Sequence, residues 1–494
     1  MTRVFASLPS AAEAPTNRQL GRKTAALVST SGLLVGFGAV SATPAFAATS
    51  ADCTGANTVS SGNADDIQTL LYNALLPIVC VEGTFTIDGT LFAPRDVTIF
   101  GLTGAVLDSD GTDRVITGDS EDSVHVTLQN LTITDGVTFG GGAVAADAVT
   151  VIDSSFRENS AGFGGAIVAD TVTVTGSTFE LNTANFEGGA IVGYDSVSVT
   201  DSTFLTNSTD DGDGGAITSY GSVTVDASTF VGNSASRYGG AIDAYTSEVQ
   251  NSTFVGNSAD DEGGAIFTGD SEVQFSTFLN NTSAVPQVEA ELPGESIYLS
   301  VIDTDNLSIR GNIFAGSTGY PQLGVGGTVT TGQIFDFAGN VFSTSRATES
   351  DLGFVDPSTL FDRTPTQLFG SGAAPGSNGG STQTVALIAG SPAIDAVPSL
   401  AALTSAPASD TLSPAAISDL NVDQRGEPRV ANADAGAFEL QADEVGGEGA
   451  EGPELAATGT TSGTAGLLGG AALLLMGLGA ALAFAGRRIA RTRP

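Results

Sequence analysis

The sequence has no tryptophan, one histidine (His125), one lysine (Lys23), two methionines and two cysteines in 494 residues. Lys and Arg number 17 against 55 Asp and Glu, a formal net charge of −38. With so few basic residues nothing can neutralise a run of phosphates, which argues against nucleic acid as a partner. Few stretches hold a 3.6-residue apolar period, which argues against a helical bundle. Charged residues make up only 15% of the chain, too few for wholesale disorder. What is abundant is glycine, 64 of it, with Ser, Thr, Asn and Val. A folded core of this composition has to be a β core.

The two ends read as addresses. Arg18, Arg22 and Lys23 precede an apolar stretch from Ala25 to Val40, and Ala45-Phe46-Ala47 has the small-x-small pattern of a signal-peptidase site. Residues 1–47 are therefore expected to be a signal peptide cut after Ala47; an uncleaved membrane anchor is the alternative. Near the other end, an apolar run from Ala465 to Ala485 is long enough to cross a bilayer, and Arg487, Arg488, Arg491 and Arg493 follow it. Before the run stands Leu455-Ala456-Ala457-Thr458-Gly459. That order of motif, span and basic tail resembles the sorting signal of Gram-positive wall-anchored proteins, in the LAxTG variant of LPxTG found in high-GC species. The resemblance implies that a sortase cuts between Thr458 and Gly459 and joins Thr458 to peptidoglycan, through a single-pass membrane intermediate. A plain single-pass anchor is the alternative. The processed chain would lose Lys23, the one lysine, which excludes Lys–Asn cross-links and argues against a polymerising pilin backbone.

Cys53 and Cys80 suit an oxidising exterior and are expected to form a disulfide worth about 3 kcal/mol by chain restriction. Two free buried thiols are the alternative. Between them Asn63 to Leu76 reads as a short amphipathic helix with Asn63 as its cap. We assign residues 48–78 to an N-terminal cap built on this helix.

The middle of the chain repeats. Gly-Gly-Ala-(Ile/Val) begins at Gly141, Gly164, Gly188, Gly214, Gly239 and Gly263, with Phe-x-x-Asn interleaved. The asparagines are Asn159, Asn182, Asn207, Asn233, Asn257 and Asn281; each Phe has Val five residues before it and Ser two before it. Runs such as Val172-Thr173-Val174-Thr175 have strand period. A unit of about 24 residues with short strands and Gly/Asn turns predicts a solenoid, one unit per coil of a parallel β-helix, with like residues stacked about 4.8 Å apart. Valine and phenylalanine would form interior ladders, and each asparagine amide would bond to its copies above and below. Weaker coils extend the stack over residues 79–345, about eleven coils at the same rise.

The alternation of GGA(I/V) with FxxN resembles the repeats of chlamydial polymorphic outer membrane proteins and related bacterial right-handed β-helix surface proteins. The resemblance covers Gly141 to Asn281 and implies the fold and surface display, with host-cell adhesion as an expectation only. Further on, Ser391-Pro392-Ala393-Ile394-Asp395, Asp423-Gln424-Arg425-Gly426 and Gly436-Ala437-Phe438-Glu439 come in an order similar to choice-of-anchor Q domain proteins. That implies a closing module over residues 346–440. An acidic Gly-rich linker through 441–458 would then lead to the sorting tail, 459–494.

Catalytic signals are weak. The β-helix polysaccharide hydrolases and lyases use aspartate clusters with basic partners; the scattered arginines match none of their motifs. His125 alternates with Val124 and Val126 and reads as structural. No Gly-x-Ser-x-Gly supports a serine nucleophile. The acid clusters Asp210/Asp211/Asp213 and Asp260/Asp261/Glu262 lie in variable corners, and Asp423, Asp434 and Glu439 follow later. The ordinary reading of each is a solvated or structural acid; calcium is the alternative. The favoured function is a non-catalytic, wall-linked adhesin or glycan- or protein-binding surface protein, without cofactor. A polysaccharide lyase or hydrolase and a purely structural surface protein are the rivals. The shortage of aromatics counts against sugar stacking.

Overall fold

The computed structural model describes residues 47–60, 63–120, 123–284, 296–300, 306–316, 321–326, 334–336, 338–344, 358–397, 420–430 and 432–441. The expectations for the signal peptide, the linker beyond residue 441, the Leu455–Gly459 motif and the apolar span lie outside these residues. What is described is all-β apart from short helical turns, and it is a parallel β-solenoid.

Strand pairing between coils is parallel and in register. Phe156 pairs with Phe179, Phe179 with Phe204, and the series continues to Phe230, Phe254, Phe278, Phe314 and Phe342. Among the described residues the coils build three sheets, of 17, 11 and 7 strands. The largest carries the Val/Thr runs, the second the Phe positions, and the third the segment between Asn and Gly-Gly. The eleven strands of the second sheet supply one strand per coil.

The central coils turn three corners each, and each of these corners takes a residue with positive φ. In one coil these are Gly176 (φ 61°), Leu181 (φ 57°) and Gly188 (φ 60°). The glycine pair has two separate causes. Gly188 supplies the left-handed conformation, whereas a Cβ on Gly189 would stand 2.0 Å from the carbonyl oxygen of Gly215 one coil on.

The residues after the other two corners form ladders. The Asn159 side-chain amide donates to Asn182 Oδ1 at 2.9 Å, and the same bond joins Asn182 to Asn207, Asn207 to Asn233, Asn233 to Asn257 and Asn257 to Asn281. The serine column is a second ladder. The Ser177 backbone amide donates to Ser202 Oγ at 3.1 Å, and the pattern runs on to Ser276, whose amide meets Asn312 Oδ1 at 2.7 Å. Between them the phenylalanine rings stack with centroids 4.7–4.9 Å apart from Phe156 to Phe342. Every group in this interior column is neutral and fully buried.

The helix Ala64–Leu71 starts at Asn63, whose side chain accepts from the Asp66 amide, and it buries Ile67 and Leu71 in the core of the coils. It stops short of Leu76. There the Asn73 side chain takes the Leu75 amide, and the Arg95 guanidinium collects the carbonyls of Asn73 and Leu76. Cys53 and Cys80 are bonded to each other, tying the N-terminal segment to the first full strand, Ile78–Val81.

At the far end Leu360 pairs with Val341 and Phe361 stacks on Phe342 at 5.5 Å, which closes the ring ladder. Other described residues of the C-terminal region dock on the side of the coils. They lie along the outer face of the second sheet, where Thr229 Oγ1 donates to the Gln383 carbonyl (2.6 Å), Thr253 Oγ1 to Gln424 Oε1 (2.6 Å), and Thr277 Oγ1 accepts from the Ala437 amide (3.0 Å). Leu368, Val385, Val397 and Phe438 share a separate apolar cluster with Phe275, Ile313 and Val341 of the coils.

Candidate functional site

The outward residues nearest the Gly-Gly corner form two columns that face each other along the stack. On the third-sheet side the register runs Gly140, Phe163, Glu187, Asp213. On the first-sheet side it runs Val168, Val192, Thr218, Asp243, Phe267, Tyr298. Contacts cross between them. Thr218 Oγ1 donates to the Asp213 carbonyl at 3.0 Å, the Tyr220 hydroxyl donates to the Glu187 carboxylate, and the Tyr238 ring stacks on Phe267 at 4.6 Å. The corner is thus a groove with carboxyl groups in the middle of its length.

Asp213 accepts from the Tyr238 amide at 3.3 Å and faces the Arg237 guanidinium at 3.5 Å. Burial nevertheless raises its carboxyl to about 6; Arg237 and the Tyr238 amide pull the other way, and Glu187 and Asp261 add to the rise. Asp243 keeps a strip of solvent contact, yet protein surrounds it closely. Burial, with the charges of Asp213 and Glu187, holds its carboxyl well above the ordinary range. It makes no hydrogen bond to the described residues. Burial and the bond to Glu187 raise the Tyr220 hydroxyl as well.

Aromatic side chains line the same corner. Phe139, Phe163 and Phe186 are in ring contact at 5.6 and 5.1 Å, and Tyr194 and Tyr220 stack at 5.7 Å. Six aromatic side chains are exposed among the described residues, and five of them are here: Phe139, Phe186, Tyr194, Tyr220 and Tyr245. The sixth, Tyr72, follows the N-terminal helix. The chain is poor in aromatics, but those it exposes are gathered.

The residues singled out from sequence separate under this geometry. Asp210 and Asp211 are exposed while Asp213 turns into the groove, so the three do not converge. Asp260 and Asp261 are exposed and Glu262 is buried. Asp423, Asp434 and Glu439 are held by arginines and backbone amides. Asp423 pairs with Arg425 at 2.8 Å, Glu439 with Arg429 at 3.4 Å, and Asp434 accepts from the amides of Asp395 and Leu440. Among the described residues no group of three or more His, Cys, Asp and Glu could hold a metal ion. His125 sits on the outer face of the first sheet with Nε2 2.8 Å from Thr150 Oγ1. Ala47 is exposed, whereas Ala48 is buried and clasped by Gln129, which accepts from its amide (2.7 Å) and donates to its carbonyl (3.0 Å).

The first sheet also has a shallow outer depression of about 220 Å³ that includes Thr224, Thr246, Glu248 and Glu272. Burial raises the Glu248 carboxyl. No aromatic side chain lines it, which sets it below the corner groove as a site.

Sequence reasoning missed Glu187, Asp243, Arg237 and the tyrosines. A signal existed: Tyr194, Tyr220 and Tyr245 each lie six residues after the first glycine of their pair.

Comparison with known proteins supports the repeat. The Chlamydia polymorphic membrane protein (Chlamydia_PMP) repeat family matches residues 227–245 and 251–269. No curated protein and no solved structure matches the chain.

Proposed function

We propose that this is a secreted protein, processed after Ala47, joined to peptidoglycan through Thr458 by a sortase, and displaying its β-helix on the cell surface for adhesion-type binding. The observation that carries the reading is the order at the C-terminus. Leu455-Ala456-Ala457-Thr458-Gly459, an apolar run and four arginines follow a body made of polymorphic-membrane-protein-like repeats. The burial of Ala48 beside Gln129 supports cleavage after Ala47, since the new terminus would be seated at once. The bonded Cys53 and Cys80 suit an oxidising exterior. The bound partner is expected to be a glycan or a protein, and no cofactor is invoked.

A second reading, an extracellular polysaccharide lyase or hydrolase, is favoured by one observation. Asp213 and Asp243 face one groove with both carboxyls held above the usual range, as general acids require. The groove lacks a recognised catalytic motif, and we place this reading second.

Cell fractionation tests the anchoring. The native chain is expected in the wall fraction, released by muramidase in a ladder of sizes. Thr458→Ala should shift it to the membrane or medium; retention in the wall would end the sortase reading.

A further inference from the structure

The groove at the Gly-Gly corner has a chemistry that no other face of the described coils shares. Towards the N-terminal coils it begins with Phe139, Phe163 and Phe186, of which Phe139 is 74% exposed. Towards the C-terminal coils it continues with Tyr238 on Phe267. Between these lie Glu187, Asp213 and Asp243, with Tyr194, Tyr220 and Tyr245 on the outer lip. Aromatic residues flank these carboxyls along the stacking axis, and the buried Glu262 follows Tyr238 in the same column.

We propose that this groove binds a linear, uncharged, polyhydroxylated chain, a neutral glycan, lying along the stacking axis. This rests on the surface-binding reading above and gives it a site and a ligand class. The apolar faces of sugar rings pack on exposed Phe and Tyr rings, and their hydroxyls need partners that both accept and donate. Asp243 borders the groove with partial solvent contact and makes no hydrogen bond to the described residues, so its carboxyl is available to a sugar hydroxyl. Asp213 and the Tyr220 hydroxyl stand beside it. Charge decides against the other polymers. With a net charge of −38, and three carboxyls in the groove itself, a polyuronate or a phosphate-bearing chain is repelled. A basic peptide would be attracted by the carboxyls, but it would leave the flanking Phe rings unused. The aromatic positions are spread over several coils, from Phe139 to Phe267, which fits an extended chain better than a single cationic side chain.

Calorimetry on the processed chain tests this with cellohexaose, xylohexaose and chitohexaose as neutral probes, polygalacturonate as the anionic control and polylysine as the cationic one. At least one neutral hexasaccharide is expected to bind, and polygalacturonate is not. The Phe139→Ala/Phe186→Ala and Tyr194→Ala/Tyr245→Ala pairs should each weaken binding tenfold or more. Asp243→Asn should weaken it several-fold, and Tyr72→Ala, an exposed aromatic elsewhere, should leave it unchanged. These positions lie outside the core, and circular dichroism of each variant confirms the fold. Cleavage of a bound hexasaccharide, lost in Asp213→Asn, would also support the site. Absence of binding to all three neutral probes would overturn the proposal, as would binding indifferent to the groove variants or a preference for polygalacturonate or polylysine. Wall fractionation is independent of these measurements, so either conclusion can fail without the other.

Discussion

The coils and the region from Ser358 to Gln441 solve the same problem, how to bury polar groups, in opposite ways. In the interior ladders of the coils the buried polar side chains are neutral, and each bonds to its own copy one coil away, Asn to Asn and Ser to Ser. Among its described residues the C-terminal region has only isolated bridges and one short helix, Pro365–Phe369, and it buries ions instead. Arg429 is wholly enclosed, paired with Glu439, bonded to Asn251 of the coils at 3.0 Å and stacked over Phe275 at 4.2 Å. The difference follows from symmetry. In a stack the neighbour of each residue is a copy of itself, so only a group that both donates and accepts can pair there. A column of like charges would repel along its whole length. Where the sequence does not repeat, opposite charges can meet and be buried together.

The largest effect should come from breaking the ion pair. Arg429→Ala removes the cation that pairs with the buried Glu439 carboxylate, at a cost of about 3–5 kcal/mol. The region is expected to become sensitive to protease while the circular dichroism of the coils stays unchanged. The double variant Arg429→Met/Glu439→Leu should recover much of the loss, because two apolar groups leave no unpaired charge. If both variants behaved alike, the pair would not be what holds the region down.

A ladder should be cheaper to damage at one position, because neighbouring amides keep part of their bonding. Asn207 Oδ1 accepts from both the backbone amide (3.0 Å) and side-chain amide (2.9 Å) of Asn182, and its own Nδ2 donates to the Phe179 carbonyl at 3.0 Å. Asn207→Ala is expected to cost roughly 2–4 kcal/mol in urea unfolding. Asn182→Ala combined with Asn207→Ala should cost less than the sum of the two, since they share bonds. Additive losses would mean that the amides act singly.

The interior of the coils was legible in the sequence, and the groove and the docked region largely were not. Val, Phe, Ser and Asn recur at fixed offsets because the stack holds them in register, so each column announces itself. The groove is written in the same columns but by differing residues. Glu187, Asp213 and Tyr238 each directly precede a glycine pair, and Thr218, Asp243 and Phe267 each follow one by the same offset. Read singly they look like variation in a loose corner; read as columns they are a surface. The acids Asp423, Asp434 and Glu439 invited a calcium reading because cation ligands and ion-pair acids are the same residue types. Arg425 and Arg429, within the same stretch, distinguish the two. The docking face was silent, because Thr229, Thr253 and Thr277 occupy ordinary outward strand positions and only the fold brings Gln383, Gln424 and Ala437 to them.

At the groove the stack sets acid beside acid, and there the rule has a measurable penalty. Glu187 and Asp213 are in-register neighbours, and Asp243 lies against both. The Asp213 carboxyl, raised from 3.8 to about 6 chiefly by burial, binds its proton more tightly in the folded chain than in the unfolded one. Its stabilising contribution is therefore complete below pH 3.8 and is lost as pH rises through 6. Asp213→Asn removes that titration. Relative to the variant, the native chain should lose about 1–3 kcal/mol between pH 4 and 7, read as a falling difference in Tm. Other carboxylates titrate in both proteins, so the difference isolates this one. Parallel pH profiles would show that Arg237 neutralises the site fully, and that the stack tolerates adjacent acids at no cost.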